Sequence, residues 1–430
     1  MAGIIADVAV VGGGLGGLAS AALLARRGLD VVVLERASEP GGRAATHVHD
    51  GYRFNLGAHA LYLGGAAARV LGGLGVAWSG KAPPSAGVAV LGGRTHALPL
   101  SAGSLLTTGL LGWSAKVQGG RLMARLGSID TRALRGVPLR AWLDENVTEP
   151  VMRATFEAFA RVTTYTSAPS LLDAGAAIAQ IRQGQRPGVV YLDGGWQTLV
   201  DGVAGAARAA GARVHAGAHV TCAAPGDGGW SVSLAGSGPV ACRALVLATG
   251  PAAARSIVAS DALAAWADRA IPVKTACLDV ALSRLPDERT TFALGVDRPL
   301  YFSVHSRSAR VAPPGAALVS TMKYLSPTAA PDAARDEAEL EGLLDLLQPG
   351  WRDVLVERRW LPGMIASNAL VTATGGGLAG RPGPGVPDAP GAFVVGDWVG
   401  GEGMLLDASL ASAEQAAAAV GDALAVAKVA

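Results

Sequence analysis

The chain has 430 residues, half of them apolar and 16% charged, with 59 glycines and a formal net charge of +2. This length exceeds what one small core organises, and a half-apolar, nearly neutral chain excludes extended disorder and a basic track for nucleic acid, so two packed domains are expected. Cys222, Cys242 and Cys277 are too widely spaced for a disulfide framework or a paired-thiol metal site, so a reducing, cytoplasmic setting without a metal is expected.

The N-terminal stretch lacks the basic start and small-residue cleavage site of an export signal, and no apolar run is long enough to predict a membrane-spanning helix. From Asp7, VAVVGG reads as a buried parallel strand, GGLASAALLARRG as a helix capped by Gly28, and LDVVVLE as a second strand, which together make one βαβ unit. Gly12, Gly14 and Gly17 supply G-x-G-x-x-G at its first turn. One glycine allows the sharp bend, one the close approach of a pyrophosphate, and one the packing of helix against strand. Leu15 and Gly16 stand among them at the helix start, where free N–H groups face phosphate. Glu35, followed by Arg36, ends the second strand, where a carboxylate accepts the hydroxyls of an adenosine ribose. A bound dinucleotide is the expectation.

Glu39-Pro40-Gly41-Gly42-Arg43 comes next, placed for a second loop to reach the pyrophosphate. The run LERASEPGGRAAT, followed by DGYRFNLGAHALY, resembles the start of the flavin amine oxidase, phytoene desaturase and protoporphyrinogen oxidase superfamily. That resemblance implies FAD, with Arg43, beside Gly42, on its phosphate. It also implies that the segment ending in Gly57, Ala58 and His59 runs under the flavin, which makes His59 the first candidate to face the ring or the substrate.

Leu105 to Leu126 mixes Leu, Trp113 and Met123 with Lys116, Arg121 and Arg125, which predicts an amphipathic helix that either packs on its own domain or lies on a membrane surface. Between Tyr191 and Pro251, a helix, a strand and the buried strand of CRALVLATGP continue the first sheet. In the resembling family the backbone at the position of Val220 pairs with adenine, and the segment of Thr249 and Gly250 approaches the phosphate end. Near the C-terminus, AFVVGDWVGGEGMLLDASLASAEQAAAAVGDAL reads as strand, glycine-rich turn and long helix. Gly396 and Asp397 are placed near ribityl hydroxyls or phosphate. The turn through Met404 and Leu405 starts a helix whose N–H groups face the flavin pyrimidine. Glu402 and Asp407 read as structural acids at that helix start.

The fold expected is α/β, a Rossmann-type FAD-binding domain with an interleaved α+β substrate domain that contains a mixed sheet. The FAD domain takes 1–93, 189–255 and 384–430, and the substrate domain takes 94–188 and 256–383. Within the latter, IPVKTACLDVALSRL and GAALVSTMKYL predict strands, and RDEAELEGLLDLLQP predicts a helix. His305, among Tyr301 and Phe302, is a second candidate for the substrate pocket. Lys274 is a third, because amine oxidases of the superfamily hold a lysine near flavin N5, with Lys323 the other lysine on a strand.

The surroundings of Trp398 are small and aliphatic, without the paired aromatics that sandwich an amine. The resemblance is strongest to bacterial phytoene-desaturase-like proteins. A dehydrogenase, desaturase or oxidase acting on a largely apolar small molecule is therefore expected. An amine oxidase, a redox-neutral polyene isomerase and a non-catalytic flavoprotein are the other readings. No second nucleotide loop is seen, since Gly375-Gly376-Gly377 lacks a strand and an acid around it, so oxygen or a quinone is expected to reoxidise the flavin.

Overall fold

In a computed structural model, which describes residues 4–426, the N-terminal apolar run becomes the strand Ile4–Val11, with Val8, Ala9 and Val10 fully buried. Strands covered on both faces have no solvent side to alternate toward, so they are apolar throughout. Val31–Leu34 is buried at every position and pairs with Ile4–Val11 in parallel, and Val240–Leu247 pairs in parallel on its other side. Arg213–His215 extends the parallel sheet beyond Val31–Leu34. The far side of Val240–Leu247 is shared: Gly229–Leu234 runs antiparallel along its first residues, with Val220–Gly226 beyond, and Ala392–Val394 runs parallel along its last. The helices Leu15–Ala25, Gln197–Ala209 and Leu405–Val426 cover one face of this sheet, and Ala254, Ile257 and Leu263 cover the other. The first helix stops at Ala25, and Gly28 lies beyond it in the left-handed region at φ 79.

A second, mixed sheet runs in the spatial order Leu355–Ser367, Val273–Leu282, Ala317–Tyr324, Leu300–Val304, Phe292–Gly295, Val88–Leu91 and Arg94–Ala97. All its pairs are antiparallel except Phe292–Gly295 with Val88–Leu91. Helices Leu139–Asn146, Pro150–Thr164 and Ala174–Gln185 pack on one face, and Ala333–Leu347 packs on the other. The architecture is therefore the expected α/β fold with a mixed second sheet.

Two of the expected domain breaks fall elsewhere in the structure. The 93/94 break lies in the turn of the hairpin Val88–Leu91 and Arg94–Ala97, both strands of which belong to the second sheet. After 255, Ile257, Val258 and Leu263 still pack in the core of the first sheet, so the chain crosses over only where Val273–Leu282 begins. Residues 1–3 and 427–430 of the first and last segments lie outside the described residues. The expected single helix over 105–126 is two helices, Ala102–Thr107 and Trp113–Leu126, the second started by Gly112.

Candidate functional site

The glycine turn is built as its spacing demands. Gly12 has φ +108, and a Cβ there would stand 2.6 Å from the carbonyl oxygen of Ala248, while a Cβ on Gly17 would overlap the Gly12 carbonyl. A Cβ on Gly14 would meet nothing within 4 Å, because that position faces a cavity of about 660 Å³. The second loop closes on the first through Gly41 N–H, which donates to Gly13 O at 2.9 Å. Glu35 accepts from Gly13 N at 2.6 Å and from Ala37 N at 2.7 Å, which fixes its carboxylate at the cavity wall.

Asp397 follows the strand Ala392–Val394 and is buried in the cavity lining. Arg43 Nη1 donates to its Oδ2 at 2.7 Å and to Ala366 O at 3.0 Å. Asn368 adds two bonds, from Nδ2 to Oδ1 at 2.8 Å and from its backbone N–H to Oδ2 at 3.1 Å. Burial works against charge on Asp397, but Arg43 and Asn368 outweigh it and hold the carboxyl below its ordinary range. Arg381 donates to the carbonyls of Asp397 and Gly403, tying this acid to the turn before the last helix, and burial lowers its guanidinium to about 10. At that helix start Leu405, a cavity residue, adopts φ 55, a conformation that β- and γ-substituted residues rarely hold. Asp407, in the first turn of the helix, also lines the cavity and accepts from Gln183 Nε2 and from Ala67 N at the start of another helix, Ala66–Leu74, while Glu402 pairs with Arg69.

His59 lines the cavity with its ring 4.8 Å from that of Trp196. Its Nδ1 lies 2.9 Å from Gly57 O and so donates, which leaves Nε2 without the proton in the neutral ring. Burial, aided by the charges of Arg43 and Arg359, pushes the imidazole down to about 4 against the Gly57 bond.

Of the residues expected at the cofactor, Gly12, Gly14, Leu15, Gly16, Glu35, Gly42, Arg43, Ala58, His59, Thr249, Gly250, Gly396, Asp397 and Leu405 line this one cavity. Gly17, Gly57 and Met404 stand behind the lining as packing neighbours, the exposed Arg36 lies outside it, and the buried Val220 is not part of it, although it follows Ala218, whose N–H donates to Glu35 O at 2.8 Å.

Two of the expected catalytic residues are not brought to it either. Lys274 is the one exposed residue of Val273–Leu282 and lies outside the lining. His305 is buried in the core, its ring stacked 4.3 Å from Tyr191 and its Nε2 3.3 Å from Tyr301 Oη, with burial pushing it down to about 3. Lys323 is held by Asp336 at 2.6 Å and by Glu339 at 2.9 Å. The sequence reading missed Trp196, Tyr62, Tyr165, Met364 and Asn368, which complete the lining from distant segments. Only Trp196, inside LDGGWQT after a strand, carries a local signal.

These donors fit a dinucleotide. Thr249 Oγ1 and Trp196 Nε1 are buried without a protein partner, and Gly14 leaves open space beside the N–H groups of a helix start that carries no acid in its first turn.

A family profile described as FAD dependent oxidoreductase matches residues 7–418. Among curated relatives, a carotenoid 3,4-desaturase of Haloarcula japonica is 53% identical over 51 residues, which is 12% of this chain and 10% of the relative. A phytoene desaturase of Cercospora nicotianae is 46% identical over 66 residues, 15% of this chain and 11% of the relative. The chain thus matches about a tenth of the length of these relatives. Solved structures match over nearly the whole chain. An oxidoreductase from Methanosarcina mazei has a TM-score of 0.75 at 20% identity, covering 96% of this chain and 99% of that one. Putrescine oxidase has a TM-score of 0.77 at 17% identity, covering 98% and 100%. At such identities the likeness is one of fold.

Proposed function

The chain belongs to the FAD-dependent oxidoreductase family, and we propose that it oxidises a largely apolar small molecule at carbon. FAD, when bound, supplies the acceptor for a hydride at its N5 atom. The observation that carries this reading is the cavity wall beyond the glycine loops. Ala58, Ala60, Tyr62, Tyr165, Trp196 and Met364 line it, and among the described residues no lysine does. Such a wall recognises hydrocarbon by area. Relatives named as a carotenoid desaturase and a phytoene desaturase support the apolar class.

In this reading the protein's side chains position and insulate rather than exchange protons. His59, neutral and braced by Gly57 O and Trp196, lines the cavity without a proton to exchange near neutral pH. Glu35 holds the ribose, Arg43 the phosphate and Asp397 the ribityl side. Oxygen or a quinone is the proposed acceptor that reoxidises the enzyme. Gly375–Gly377 is a turn leading into the short 3-10 segment Gly377–Gly380, without the strand-to-helix context of a second nucleotide loop.

Anaerobic titration of the yellow enzyme tests the substrate class. Polyenes or other apolar compounds are expected to bleach the visible flavin band, and bleaching by amines alone would overturn the reading. The pH profile is a second arm of the same experiment. With His59 pushed down to about 4, the reductive rate with an apolar substrate is expected to be flat from about pH 6 to 8, where an unperturbed histidine titrates. An amine substrate would bring its own ionisation into that window.

Glu35→Ala strips the acceptor from two backbone N–H groups and from the ribose. The FAD dissociation constant, read by flavin fluorescence on release, is expected to rise about tenfold. An unchanged constant would mean that the ribose is held elsewhere.

A further inference from the structure

Helix Trp113–Leu126 inverts the usual partition of side chains. Toward the protein it turns small residues, Ala115 and Gly119, so closely that a Cβ on Gly119 would stand 2.9 Å from Met152 Sδ, together with Leu122 and Leu126. Toward solvent it turns large apolar ones. Trp113 is 73% exposed, and Leu106, at the end of the preceding helix Ala102–Thr107, is 60% exposed. Half of the exposed large apolar side chains among the described residues, Leu100, Leu106, Trp113, Val117 and Met123, fall in this one stretch. Scattered singly they would need no account, but here they cluster, with Trp113 and Val117 one turn apart on the outer side of the helix.

At about 100° per residue, Trp113, Val117, Gly120 and Ala124 form a line along the outer side of the helix. Lys116 flanks that line on one side, next to Met123, and Arg121 and Arg125 flank it on the other. Lys116 Nζ also donates to Leu106 O at 2.8 Å, which docks the short helix beside the first turn of the long one. No acidic residue occurs between Ala102 and Leu126. Glu149, on the neighbouring segment, meets the helix only through its backbone N–H, which donates to Gln118.

We propose that the face formed by Ala102–Thr107 and Trp113–Leu126 is a docking surface for an anionic lipid bilayer. Leu106, Trp113 and Val117 enter the boundary between headgroups and acyl chains, and Lys116, Arg121 and Arg125 meet the headgroup phosphates on both sides. Charge selects this occupant over a second copy of the chain. A two-fold contact sets a patch against itself, and here that would place basic flank against basic flank with no acid to answer it. An indole at the rim of an apolar stripe also suits the water–lipid boundary, where one end is wet and the other is not. The proposal stands apart from the choice of substrate.

The test is sedimentation of the full FAD-loaded chain with vesicles of phosphatidylcholine alone and of phosphatidylcholine mixed one to one with phosphatidylglycerol. Wild type is expected to sediment with the mixed vesicles and to be released by salt. In K116Q/R121Q/R125Q the preference for the anionic vesicles should fall about fivefold per charge removed. In W113Q/V117Q binding should fall about tenfold while flavin content and melting temperature stay at wild-type values, because both side chains are exposed and outside the cavity. Should either variant fold poorly, the other reads the same face. Equal sedimentation of wild type with and without phosphatidylglycerol, or wild-type binding by both variants, overturns the proposal. So does conversion of a dimer to a monomer by W113Q/V117Q with vesicle binding unchanged, which would assign the face to a second copy.

Discussion

Gly14→Val is expected to give a folded but colourless protein, whereas Gly17→Val is expected to give little folded protein at all. The two glycines belong to one motif but face different neighbours. Gly14 sits at φ −72 and ψ 174, ordinary extended backbone that valine adopts freely, and its missing side chain would project into the open cavity. Valine there costs the apoprotein almost nothing, yet it occupies the space through which the dinucleotide must pass. Overlap of that kind costs about 3 kcal/mol or more, a hundredfold or greater loss of FAD affinity. At Gly17 a Cβ would collide with the Gly12 carbonyl and press on Ala248, two rigid neighbours at the crossing of the first helix over its strand. Neither relaxes without parting helix from sheet. Flavin absorbance per protein, together with circular dichroism of the purified variants, separates the cases. A Gly14→Val protein that purifies fully yellow would show that FAD does not cross this turn.

The dinucleotide half of the molecule was legible because its determinants are local. The strand Ile4–Val11, the turn through Gly12, Gly14 and Gly17, and the helix Leu15–Ala25 follow one another without interruption, and Glu35 sits at the end of the next strand. Each piece constrains its neighbour, so patterning and spacing suffice. The second sheet offers no such help. Val273–Leu282 is buried at nearly every position, so the alternation that would tell which side chains face a cavity is absent, and Lys274, its one exposed residue, was open to a role its position outside the lining does not support. His305 sits among aromatics for packing, in a ring stack with Tyr191 that joins two distant stretches of chain. Trp196, Tyr165, Met364 and Asn368 converge on the cavity from three segments, and convergence of that kind is a property of topology rather than of any one window of sequence. The misplaced break at 93/94 has the same origin: Val88–Leu91 pairs with Phe292–Gly295, a partner far along the chain.

Arg43→Gln is expected to destabilise the protein near neutral pH, with a deficit against wild type that shrinks as pH falls, and to weaken its hold on flavin. Asp397 is buried, and three groups keep it ionised: the Arg43 guanidinium, the Asn368 side chain and the Asn368 backbone N–H. Its carboxyl lies below the ordinary range when folded and returns to it when unfolded. The stability this contributes is therefore fully present above the unfolded pKa of about 3.9 and lost as pH falls through the folded value. Glutamine at 43 removes the charge but leaves the burial, so the folded pKa rises, the contribution near neutral pH shrinks, and the deficit against wild type fades as pH falls and both carboxyls protonate. Stripping one partner from a buried pair costs about 3 to 5 kcal/mol. The Arg43 side chain is 40% exposed, however, and water screens part of the pairing, so about 2 kcal/mol is the expected cost near neutral pH. Asp397→Asn in the Arg43→Gln background separates this from loss of a phosphate contact. If the stranded carboxylate causes the instability, the double variant melts higher than Arg43→Gln alone near neutral pH, and the difference between the two vanishes in acid. If Arg43 also holds the cofactor phosphate, as proposed, the double variant recovers stability without recovering FAD affinity. Recovery of both would confine Arg43 to its partnership with Asp397.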